Sequence, residues 1–534
     1  MMNEHSERSG NQDHAANQRT LHKGDEIELT IENLAFGGEG IAKIQIGERF
    51  FTIFVEEVVP GDKVLVQINH KKSSWARGFV KKLIEPSLLR IRPRCKHFAD
   101  LAKAPEVQKN SANLSGKMAT VPKGCGGCAW QFLSYEDQLK FKEQQVRDAF
   151  ERIGNVKNPP VLPIMGVARE PWFYRNKMEF SFHKTLDGRI DLGLHCKRQH
   201  YDVIELTECF LLGDYVGELV KEAREFFRKL DAEKKLDPEI ILKTLTIREG
   251  KHTGEKMLIL TAENGKVEGD GDNVEFARMA NSSLPAGNAA SRPLESFKNW
   301  ALDFFQKRNL QLNSLYFIHI QSQKGKRTEL KEYLIHGKPT IREEIHLDEK
   351  MALTFDISPQ AFFQPNTLQA GKLYSVAMQA AKLQGKEIVY DLFCGTGTIG
   401  IFCAQRAKKV YGIELNASAL ENARQNAQLN NVKNVEFFVG DVDHLLSELK
   451  EEPDVIIVDP PRNGLMPSVV AQLIEKLQKS KSLSRLVYVS CNPSTMARDA
   501  QLLIKGGYVL KSVQPVDMFP QTYHIENVAL FERA

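Results

Sequence analysis

The chain of 534 residues is predicted to be an α/β protein with a doubly wound, Rossmann-like parallel sheet in its C-terminal part. From residue 387 onward, apolar runs such as "EIVYDLF" alternate with helical stretches such as "NASALENARQNAQLNN". Between residues 22 and 84, short alternating strands are separated by glycine turns, which is typical of a small β-barrel. We therefore expect an N-terminal barrel, a central α+β domain at 85–345 and a C-terminal domain at 346–534.

The N-terminal residues 1–21 are polar and contain several acidic residues, so they lack both the apolar core of a secretory signal and the acid-poor character of a transit peptide. We expect a disordered tail. No apolar run is long enough to cross a bilayer. Eight cysteines without a signal peptide point to a reducing compartment. We expect a cytoplasmic monomer that does not bind a membrane.

The barrel strands are predicted at 25–34, 40–54 and 62–68, and a basic run follows them. Between Lys63 and Lys96, one acidic residue, Glu85, opposes eight cationic ones: Lys71, Lys72, Arg77, Lys81, Lys82, Arg90, Arg92 and Arg94. Such an excess would attract a phosphate backbone. A solvated, lysine-rich sheet edge is the alternative interpretation.

The central region mixes helices and strands. A helix is predicted at 134–154, with Ser134 as its N-cap and Gly154 as its C-cap. Strands are predicted at 177–184, 190–195 and 315–321. The stretch near 264–296 is rich in Gly, Asn, Ser and Ala, which indicates a surface insertion.

A glycine-rich turn, "DLFCGTGTIG", follows a predicted strand and contains Gly395. Taken alone, this pattern suits a dinucleotide equally well. Asp391, at the end of that strand, would repel a pyrophosphate and attract an ammonium group. S-adenosylmethionine carries an ammonium and a sulfonium but no phosphate. A plain glycine turn with capping acids is the alternative.

The following strands end in further acids. Glu414 ends the next strand, where a carboxylate can bind both ribose hydroxyls, and Asp441 ends the third, placed to meet the adenine. Asp459, in "VIIVDPPRNGL", ends the fourth and is expected in the same cleft, with prolines stiffening the backbone behind it. Arg462 stands where amino-methylating enzymes often have an aromatic residue, which argues against amino-group chemistry and suits a phosphate or carboxylate contact.

Cys491 follows an apolar strand, "RLVYVS", and precedes Asn492 and Pro493, which force a turn. A thiolate at such a position can add to carbon 6 of a uracil and make carbon 5 nucleophilic enough to take a methyl group. A base must then remove the proton from carbon 5, and Glu526, just before the last apolar strand, is our candidate. The alternatives are a small buried cysteine and a surface acid.

The motifs "FFQPN", "DLFCGTGTIG", "DPPRNGL", "SCNPSTMARD" and "MFPQTYHIEN" resemble, in order and spacing, those of the RNA uracil-C5 methyltransferases. The matches span residues 362–527. The resemblance implies that Gln364, Phe393, Glu414 and Asp459 contact S-adenosylmethionine. It also implies that Cys491 is the nucleophile and Glu526 the proton acceptor.

The segments "RPRCKHF", "GCGGCAWQ" and "ELTECFLL" resemble the iron–sulfur signature of one branch of this family. The resemblance implies a [4Fe-4S] cluster on Cys95, Cys125, Cys128 and Cys209, with residues 98–121 as an insertion. From chemistry alone, the same thiols could hold zinc or exchange disulfides. Cys196 has no counterpart in the signature.

The barrel at 22–84 resembles the TRAM domain, an RNA-binding module of the same branch. The resemblance implies a structured RNA substrate, most often large-subunit (23S) ribosomal RNA, with transfer RNA as the alternative. We expect the target uridine to be flipped from its stack, where Phe362, Phe363 or Tyr523 can stack on it. The rival interpretations are a Rossmann dehydrogenase, supported by the glycine pattern alone, and a non-catalytic RNA-binding protein.

Overall fold

The computed structural model describes residues 21–46, 49–101, 124–197, 199–236, 240–264, 292–322 and 328–534. The predicted tail up to residue 20, most of the insertion predicted near 264–296 and most of that at 98–121 lie outside the described residues. The chain divides into two compact units. The first contains Met1–Arg92, Asp100–Pro122 and Phe132–Ser134, and the second contains Pro93–Ala99, Lys123–Gln131 and Tyr135–Ala534.

The first unit is built on one six-stranded sheet. Its strands are β1 (Glu26–Thr30), β2 (Asn33–Leu34), β3 (Gly40–Ile46), β4 (Arg49–Val55), β5 (Lys63–Lys71) and β6 (Trp75–Glu85). They lie in the order β1-β5-β6-β4-β3-β2, and all neighbours are antiparallel except the parallel pair β4 and β6. The three predicted strand segments fall on β1 to β5. Closure of this sheet into a barrel stays a prediction.

Strand β6 was not predicted, although it is the longest of the six. Its sequence, "WARGFVKKLIE", places small or apolar residues inward at Ala76, Gly78 and Val80, while Arg77, Phe79 and Lys81 alternate with them. Gly78 sits where a side chain could not, because a Cβ atom there would lie 2.3 Å from Cγ1 of Val66. The basic composition of this segment alone indicates a solvated segment, and its strand conformation depends on packing against the neighbouring strands.

The basic run is less cationic in the fold than in the sequence, because neighbouring strands supply acids. Arg90 pairs with Asp62 at 2.7 Å, and both side chains are buried. Arg77 donates two hydrogen bonds to Glu39 at 2.8 and 3.0 Å. Six members of the run remain exposed: Lys71, Lys72, Arg77, Lys82, Arg92 and Arg94.

The second unit begins with a helix and a seven-stranded sheet. The helices of this part are α1 (Tyr135–Arg152), α2 (Val216–Ala232) and α3 (Arg292–Gln306). The strands are β7 (Lys177–Lys184), β8 (Ile190–Cys196), β9 (Gln199–Glu205), β10 (Ile240–Glu249), β11 (Lys256–Asn264), β12 (Ser314–Gln321) and β13 (Glu329–Gly337). Their order is β13-β12-β11-β10-β7-β8-β9. The predicted strands correspond to β7, β8 and β12.

Helix α1 begins one residue after Ser134, as predicted, but Gly154 does not adopt a left-handed conformation. Asn155 takes it instead, with φ 53°. Gly154 is needed for close packing, because a Cβ atom there would lie 2.7 Å from the carbonyl oxygen of Phe150. A glycine is therefore required at the end of this helix because there is no room for a side chain, and not because the backbone is left-handed there.

A hairpin and a second seven-stranded sheet complete the unit. The hairpin is β14 (Ile341–His346) and β15 (Ala352–Ile357). The sheet contains β16 (Ile388–Leu392), β17 (Lys409–Glu414), β18 (Val435–Val439), β19 (Val455–Val458), β20 (Arg485–Ser490), β21 (Tyr508–Val516) and β22 (Glu526–Arg533). The helices are α4 (Thr367–Ala381), α5 (Thr398–Ala404), α6 (Ala417–Leu429), α7 (Val442–Glu448), α8 (Pro467–Lys479) and α9 (Pro493–Lys505).

The strand order β18-β17-β16-β19-β20-β22-β21 confirms the predicted doubly wound arrangement. The five strands from β18 to β20 are parallel, and β22 pairs antiparallel with both β20 and the edge strand β21. Apolar strand residues pack against α4 and α5 in a continuous core. None of the helices in the described part of the chain combines the length and apolar character that crossing a bilayer requires.

Candidate active site

The carboxyl ends of the parallel strands bring the predicted acids to one edge of the sheet. The register pairs Leu392 of β16 with Val458 of β19, and the amide of Asp459 donates to the carbonyl of Leu392 at 3.2 Å. The candidate side chains at or just beyond these strand ends are Asp391, Glu414, Asp441, Asp459 and Cys491. Ligands of doubly wound sheets bind at this edge.

The turn after β16 adopts left-handed backbone conformations. Phe393 has φ 62° and Gly395 has φ 55°. The amide of Gly395 donates to Oε2 of Glu414 at 3.1 Å, and nothing lies within 4 Å of the place where its Cβ would be. Backbone strain, not crowding, therefore selects glycine there, and the open side leaves room for a ligand.

Asp391 is a buried carboxylate without a matched donor. It is fully buried, and neither carboxylate oxygen has a hydrogen-bond partner of ordinary geometry among the described residues. Burial, with the charges of Asp459 and Glu414 nearby, raises the pKa of Asp391 to about 8, while the amide of Gly400 lowers it. Burial alone raises the pKa of Asp459 to about 6. A cation placed between these carboxylates would satisfy them, which fits the ammonium and sulfonium of S-adenosylmethionine.

The remaining predicted cofactor residues lie in more ordinary surroundings. Asp441 is exposed, and its side chain caps α7 by accepting from the amide of Asp443 at 3.0 Å. Gln364 is half-buried, and its carbonyl accepts from Nδ2 of Asn176 at 2.7 Å. The capping bond leaves lone pairs of the Asp441 carboxylate available for a ligand. The contact of Asp441 with adenine stays a prediction.

Cys491 lies between β20 and α9, as the sequence predicts. Asn492 caps α9 by accepting from the amide of Ser494 at 3.0 Å, and Pro493 begins the helix. The thiol is half-buried. Burial and the nearby carboxyl of Glu526 raise its pKa to about 11, whereas the guanidinium of Arg462 lowers it.

Strand pairing brings Cys491 and Glu526 together. Ser490 of β20 lies opposite Asn527 of β22, and Nδ2 of Asn527 donates to the carbonyl of Ser490 at 3.3 Å. Because the strands are antiparallel, the residue after Ser490 and the residue before Asn527 lie at the same end of the sheet. Glu526 is buried, and burial together with Asp459 raises its pKa well above the usual value, while Arg462 lowers it.

Arg462, for which the sequence analysis predicts a phosphate or carboxylate contact, also lies beside Cys491. Its side chain is exposed to solvent on one side and lies close enough to Cys491 to lower the pKa of the thiol. Its carbonyl accepts from Asn492 at 3.0 Å and from Thr495 at 3.3 Å, which ties its loop to the start of α9. No local sequence signal indicates this contact, because the two segments meet only in the folded sheet.

The aromatic candidates differ in exposure. Phe362 is 66% exposed, whereas Phe363 packs against Phe355 in the core, with ring centroids 5.9 Å apart. Tyr523 is half-buried against His524, at 4.5 Å between centroids. Burial and the nearby cations lower the pKa of His524 to about 4, so this imidazole is neutral at pH 7. Phe362 and Tyr523 remain candidates for stacking on a base.

The four cysteines predicted to bind a metal line one cavity, which we call the cysteine cavity: Cys95, Cys125, Cys128 and Cys209. Its other walls are mostly apolar. Burial raises the pKa of Cys128 to about 12 and that of Cys209 to about 11, while the charge of Arg175 lowers both. The amide of Gly127 points at the sulfur of Cys125 at 3.4 Å, as an amide does that stabilises a thiolate.

The arrangement of these thiols does not by itself define an ion site. Within the described residues, no group of three or more His, Cys, Asp or Glu side chains is arranged to hold a metal ion. Cys95 nevertheless reaches the cavity, so the sequence between it and Cys125 does not remove it from the set. Cys196 is buried and lies opposite Cys125 in an isolated β-bridge, but it is not part of the cavity lining.

Comparison with known proteins agrees with this geometry. A family profile described as tRNA (Uracil-5-)-methyltransferase matches residues 306–534. An RNA methyltransferase of Protochlamydia amoebophila is 35% identical over 485 residues, covering 88% of this chain and 98% of the relative. An RNA methyltransferase of Bacteroides thetaiotaomicron is also 35% identical, covering 93% of this chain and 100% of the relative.

A solved structure matches over nearly the whole chain. The tRNA (uracil-54, C5)-methyltransferase of Pyrococcus abyssi, in complex with S-adenosyl-L-homocysteine, superimposes with a TM-score of 0.61 and is 25% identical in sequence. The match covers 95% of this chain and 100% of the archaeal chain. The likeness therefore extends beyond the doubly wound sheet.

Proposed function

Since the chain belongs to the RNA uracil-5-methyltransferase family and depends on S-adenosylmethionine, we propose that it methylates carbon 5 of one uridine in a structured RNA through a covalent bond to Cys491. The observation that carries the proposal is the pairing of Ser490 with Asn527, which sets Cys491 and Glu526 side by side. Both lie at the edge of the sheet where the unmatched carboxylate of Asp391 favours a cationic ligand.

The first step is the attack of Cys491 on carbon 6 of the uracil. The thiol gives its proton to solvent, and the sulfur adds to carbon 6, which moves the ring electrons to carbon 5 and its neighbouring oxygen. The positive charge of Arg462 lowers the pKa of the thiol and favours this step. When bound, S-adenosylmethionine would supply the methyl group to carbon 5 and leave as S-adenosylhomocysteine.

The second step removes the surplus proton. Carbon 5 then carries both hydrogen and methyl, and Glu526 takes the proton so that the ring double bond forms again and the sulfur leaves. While the sulfur is bonded to carbon it carries no charge, so the cation of Arg462 is left to favour the ionised form of Glu526. Cys491 and Glu526 thus act one after the other, and the guanidinium of Arg462 favours the ionised form of each in turn.

The cofactor contacts proposed for this chain follow the strand ends. Asp391 and Asp459 offer carboxylates to the amino-acid part and the sulfonium, and Glu414 offers one to the ribose. Phe393, Gly395 and Gln364 would line the same pocket, and Asp441 would meet the adenine. Asp391 supports this arrangement most directly, because a buried carboxylate with no hydrogen-bond partner of ordinary geometry among the described residues is costly unless a ligand satisfies it.

We also propose that the cysteine cavity holds a [4Fe-4S] cluster, with zinc as the alternative occupant. Four thiols in an apolar cavity, with the guanidinium of Arg175 beside Cys128 and Cys209, suit an anionic thiolate-ligated group. No group of three or more metal-binding side chains within the described residues is arranged to hold a metal ion, so the resemblance of the cysteine signature, and not this geometry, favours the cluster over zinc. Visible absorption in anaerobically purified protein tests this, and a colourless protein containing zinc would contradict it.

The first unit is proposed as a TRAM-like module that binds RNA. Trp75 lies beside His70 at 5.3 Å between centroids, and the guanidinium of Arg77 lies 5.3 Å from its ring. Phe50, on the neighbouring part of the sheet, is 75% exposed. Aromatic rings among cations suit stacking on bases.

Trp75→Ala is expected to weaken RNA binding by about 1–3 kcal/mol. The control is Leu186→Ala, at an exposed position in the second unit, which is expected to leave RNA binding unchanged.

We favour large-subunit ribosomal RNA as the substrate in the cytoplasm, with transfer RNA as the alternative. The resemblance of the cysteine signature supports the first, and the archaeal structure of a transfer-RNA enzyme supports the second. The deciding experiment incubates the protein and methyl-labelled S-adenosylmethionine with total RNA from a strain lacking the gene. Label on carbon 5 of one uridine is expected, and its position names the RNA. Label on an exocyclic nitrogen would overturn the proposal.

A further inference from the structure

The loop that joins β21 to β22 ends at the proposed base. We call residues 517–525 the catalytic turn. Val516 and Glu526 pair across its mouth, so the turn determines where β22 begins. Connecting loops normally run over the surface and are mobile, but residues of this turn are buried at both anchors described below.

The first anchor is a pair of hydrogen bonds between Gln521 and Gln138 of α1, which we call the clamp. The amide of Gln521 donates to Oε1 of Gln138 at 2.9 Å, and Nε2 of Gln138 donates to Oε1 of Gln521 at 3.1 Å. The carbonyl of Gln521 accepts from the amides of Ala129 and Trp130 at 2.8 and 3.0 Å. Both glutamines are buried, and Gln521 has φ 67°, a conformation that costs energy outside glycine.

The second anchor is a buried ion pair. Nζ of Lys142, one turn further along α1, lies 2.7 Å from Oδ1 of Asp517 and 3.1 Å from the carbonyl of Phe519. Both charged side chains are completely buried. The hydroxyl of Tyr174 donates to the carbonyl of Pro520 at 3.1 Å. Two polar anchors therefore join one face of α1 to successive residues of the turn.

We propose that Gln138 is a positioning residue for proton removal, holding the catalytic turn so that Glu526 reaches the proton on carbon 5. The inference rests on the proposed function, since it takes Glu526 as the base. The buried ion pair and the left-handed backbone of Gln521 both cost free energy of folding. Such unfavourable features are typical of sites where the geometry must be fixed. The amides of Ala129 and Trp130, which donate to the carbonyl of Gln521, directly follow Cys128, so the segment that lines the cysteine cavity also supports the catalytic turn.

The two halves of the reaction allow this role to be measured apart from stability. Methyl transfer depends on Cys491, whereas release depends on Glu526. When release is slow, the methylated RNA stays bonded to the protein and survives denaturation. RNA carrying tritium on carbon 5 of uridine reports release, and labelled S-adenosylmethionine reports methyl transfer in the same single turnover.

The test variant is Gln138→Met, which keeps the size of the side chain and removes the clamp. We expect tritium release to fall about tenfold relative to methyl transfer, and the covalent complex to accumulate. The matched control is Gln144→Met, the same change on the same helix, where Gln144 is exposed and bonds only Asp148 among the described contacts. The control is expected to release tritium and transfer methyl in the wild-type ratio.

The Glu526→Gln variant separates the two proposals. If it accumulates the complex and Gln138→Met does not, the positioning role is wrong and the base assignment stands. If Glu526→Gln releases tritium normally, the proposed function itself fails. A loss of both half-reactions by the same factor in Gln138→Met would show a merely structural role and also overturn the inference.

A second variant guards against a failure to fold. Gln138→Glu keeps an acceptor for the amide of Gln521 and loses donors to Trp130 and Gln521. It is expected to shift the ratio of release to transfer in the same direction as Gln138→Met but by a smaller factor, about threefold. An unchanged ratio in this folded variant would contradict the proposal.

Discussion

Two groups of cysteines in the second unit can be compared directly. The thiol of Cys491 and the thiols of the cysteine cavity all have pKa values raised by burial. Cys491, however, is half-buried at the end of a strand, where Glu526 and Asp459 raise its pKa and Arg462 lowers it. The cavity thiols have one another, with Arg175 near Cys128 and Cys209, and with Lys96 and Glu208 near Cys95.

The difference shows how surroundings assign chemistry to a side chain. One thiol beside an acid and a cation, at an edge open to a ligand, can gain and lose a bond during a reaction. Several thiols that face each other in an apolar space repel as thiolates, and a metal group relieves that repulsion. Both kinds of thiol are cysteine in the sequence, so their different roles come from the residues around them. Substituting either the thiols or those neighbours tests this comparison.

The largest effect is expected from Cys491→Ala. Without the sulfur, carbon 5 of the uracil has no nucleophilic character, so methyl transfer should fall by about 10⁴-fold or more. The covalent complex on denaturing gels should disappear, while RNA binding and the visible spectrum remain unchanged.

Cys403→Ala is the matched control for this change. Cys403 is completely buried in α5 and belongs to the core of the same sheet. We expect it to lower stability slightly and to leave the ratio of complex formation to RNA binding unchanged. Full activity in a folded Cys491→Ala protein would refute the covalent mechanism.

The next effect is expected from Cys128→Ser. Loss of one ligand should lower the content of bound metal at least about tenfold and remove the visible absorption. Because the amides after Cys128 hold Gln521, we also expect release of tritium to slow more than methyl transfer. Metal analysis, spectroscopy and the single-turnover ratio measure these changes. Unchanged metal content would contradict the assignment of the cavity.

Local signals in the sequence were sufficient where one segment determines its own structure. The strand ending at Ser490 and the turn at Asn492 and Pro493 follow from an apolar run and a helix cap, and both are found. The same holds for β7, which has its predicted bounds. The strand–helix alternation was sufficient to place all five candidate side chains at one sheet edge.

Contacts between distant segments could not be predicted. The basic run near β6 counts one acid in the sequence, but strand pairing brings Glu39 and Asp62 against it. Lys142 stands in a polar helix sequence that indicates a solvated face, yet its partner Asp517 lies 375 residues further along the chain. Such pairings depend on the tertiary fold, which no local period encodes.

A smaller effect is expected from Arg462→Met on the pH dependence. The pKa of Cys491 is raised to about 11, so the thiolate fraction, and with it the rate of complex formation, should rise with pH through the neutral range. Arg462 lowers that pKa, so its removal should raise the pKa and move the profile to higher pH, with about tenfold slower complex formation at pH 7. Arg462→Lys keeps the charge and should stay within about threefold. An unshifted profile in Arg462→Met would show that the guanidinium does not act on the thiol.

The smallest effect is expected from Cys196→Ala, which tests whether nearness to the cysteine cavity is enough to make a ligand. Cys196 is buried and bridges Cys125 through the backbone, but its side chain is not part of the cavity lining. The backbone bridge survives the substitution, so metal content and visible absorption should equal those of the wild type. Stability should fall by about 1 kcal/mol, the usual cost of a small loss of buried volume. If the metal were lost, the ligand set would include Cys196, and the four-cysteine assignment drawn from the signature would have to be replaced.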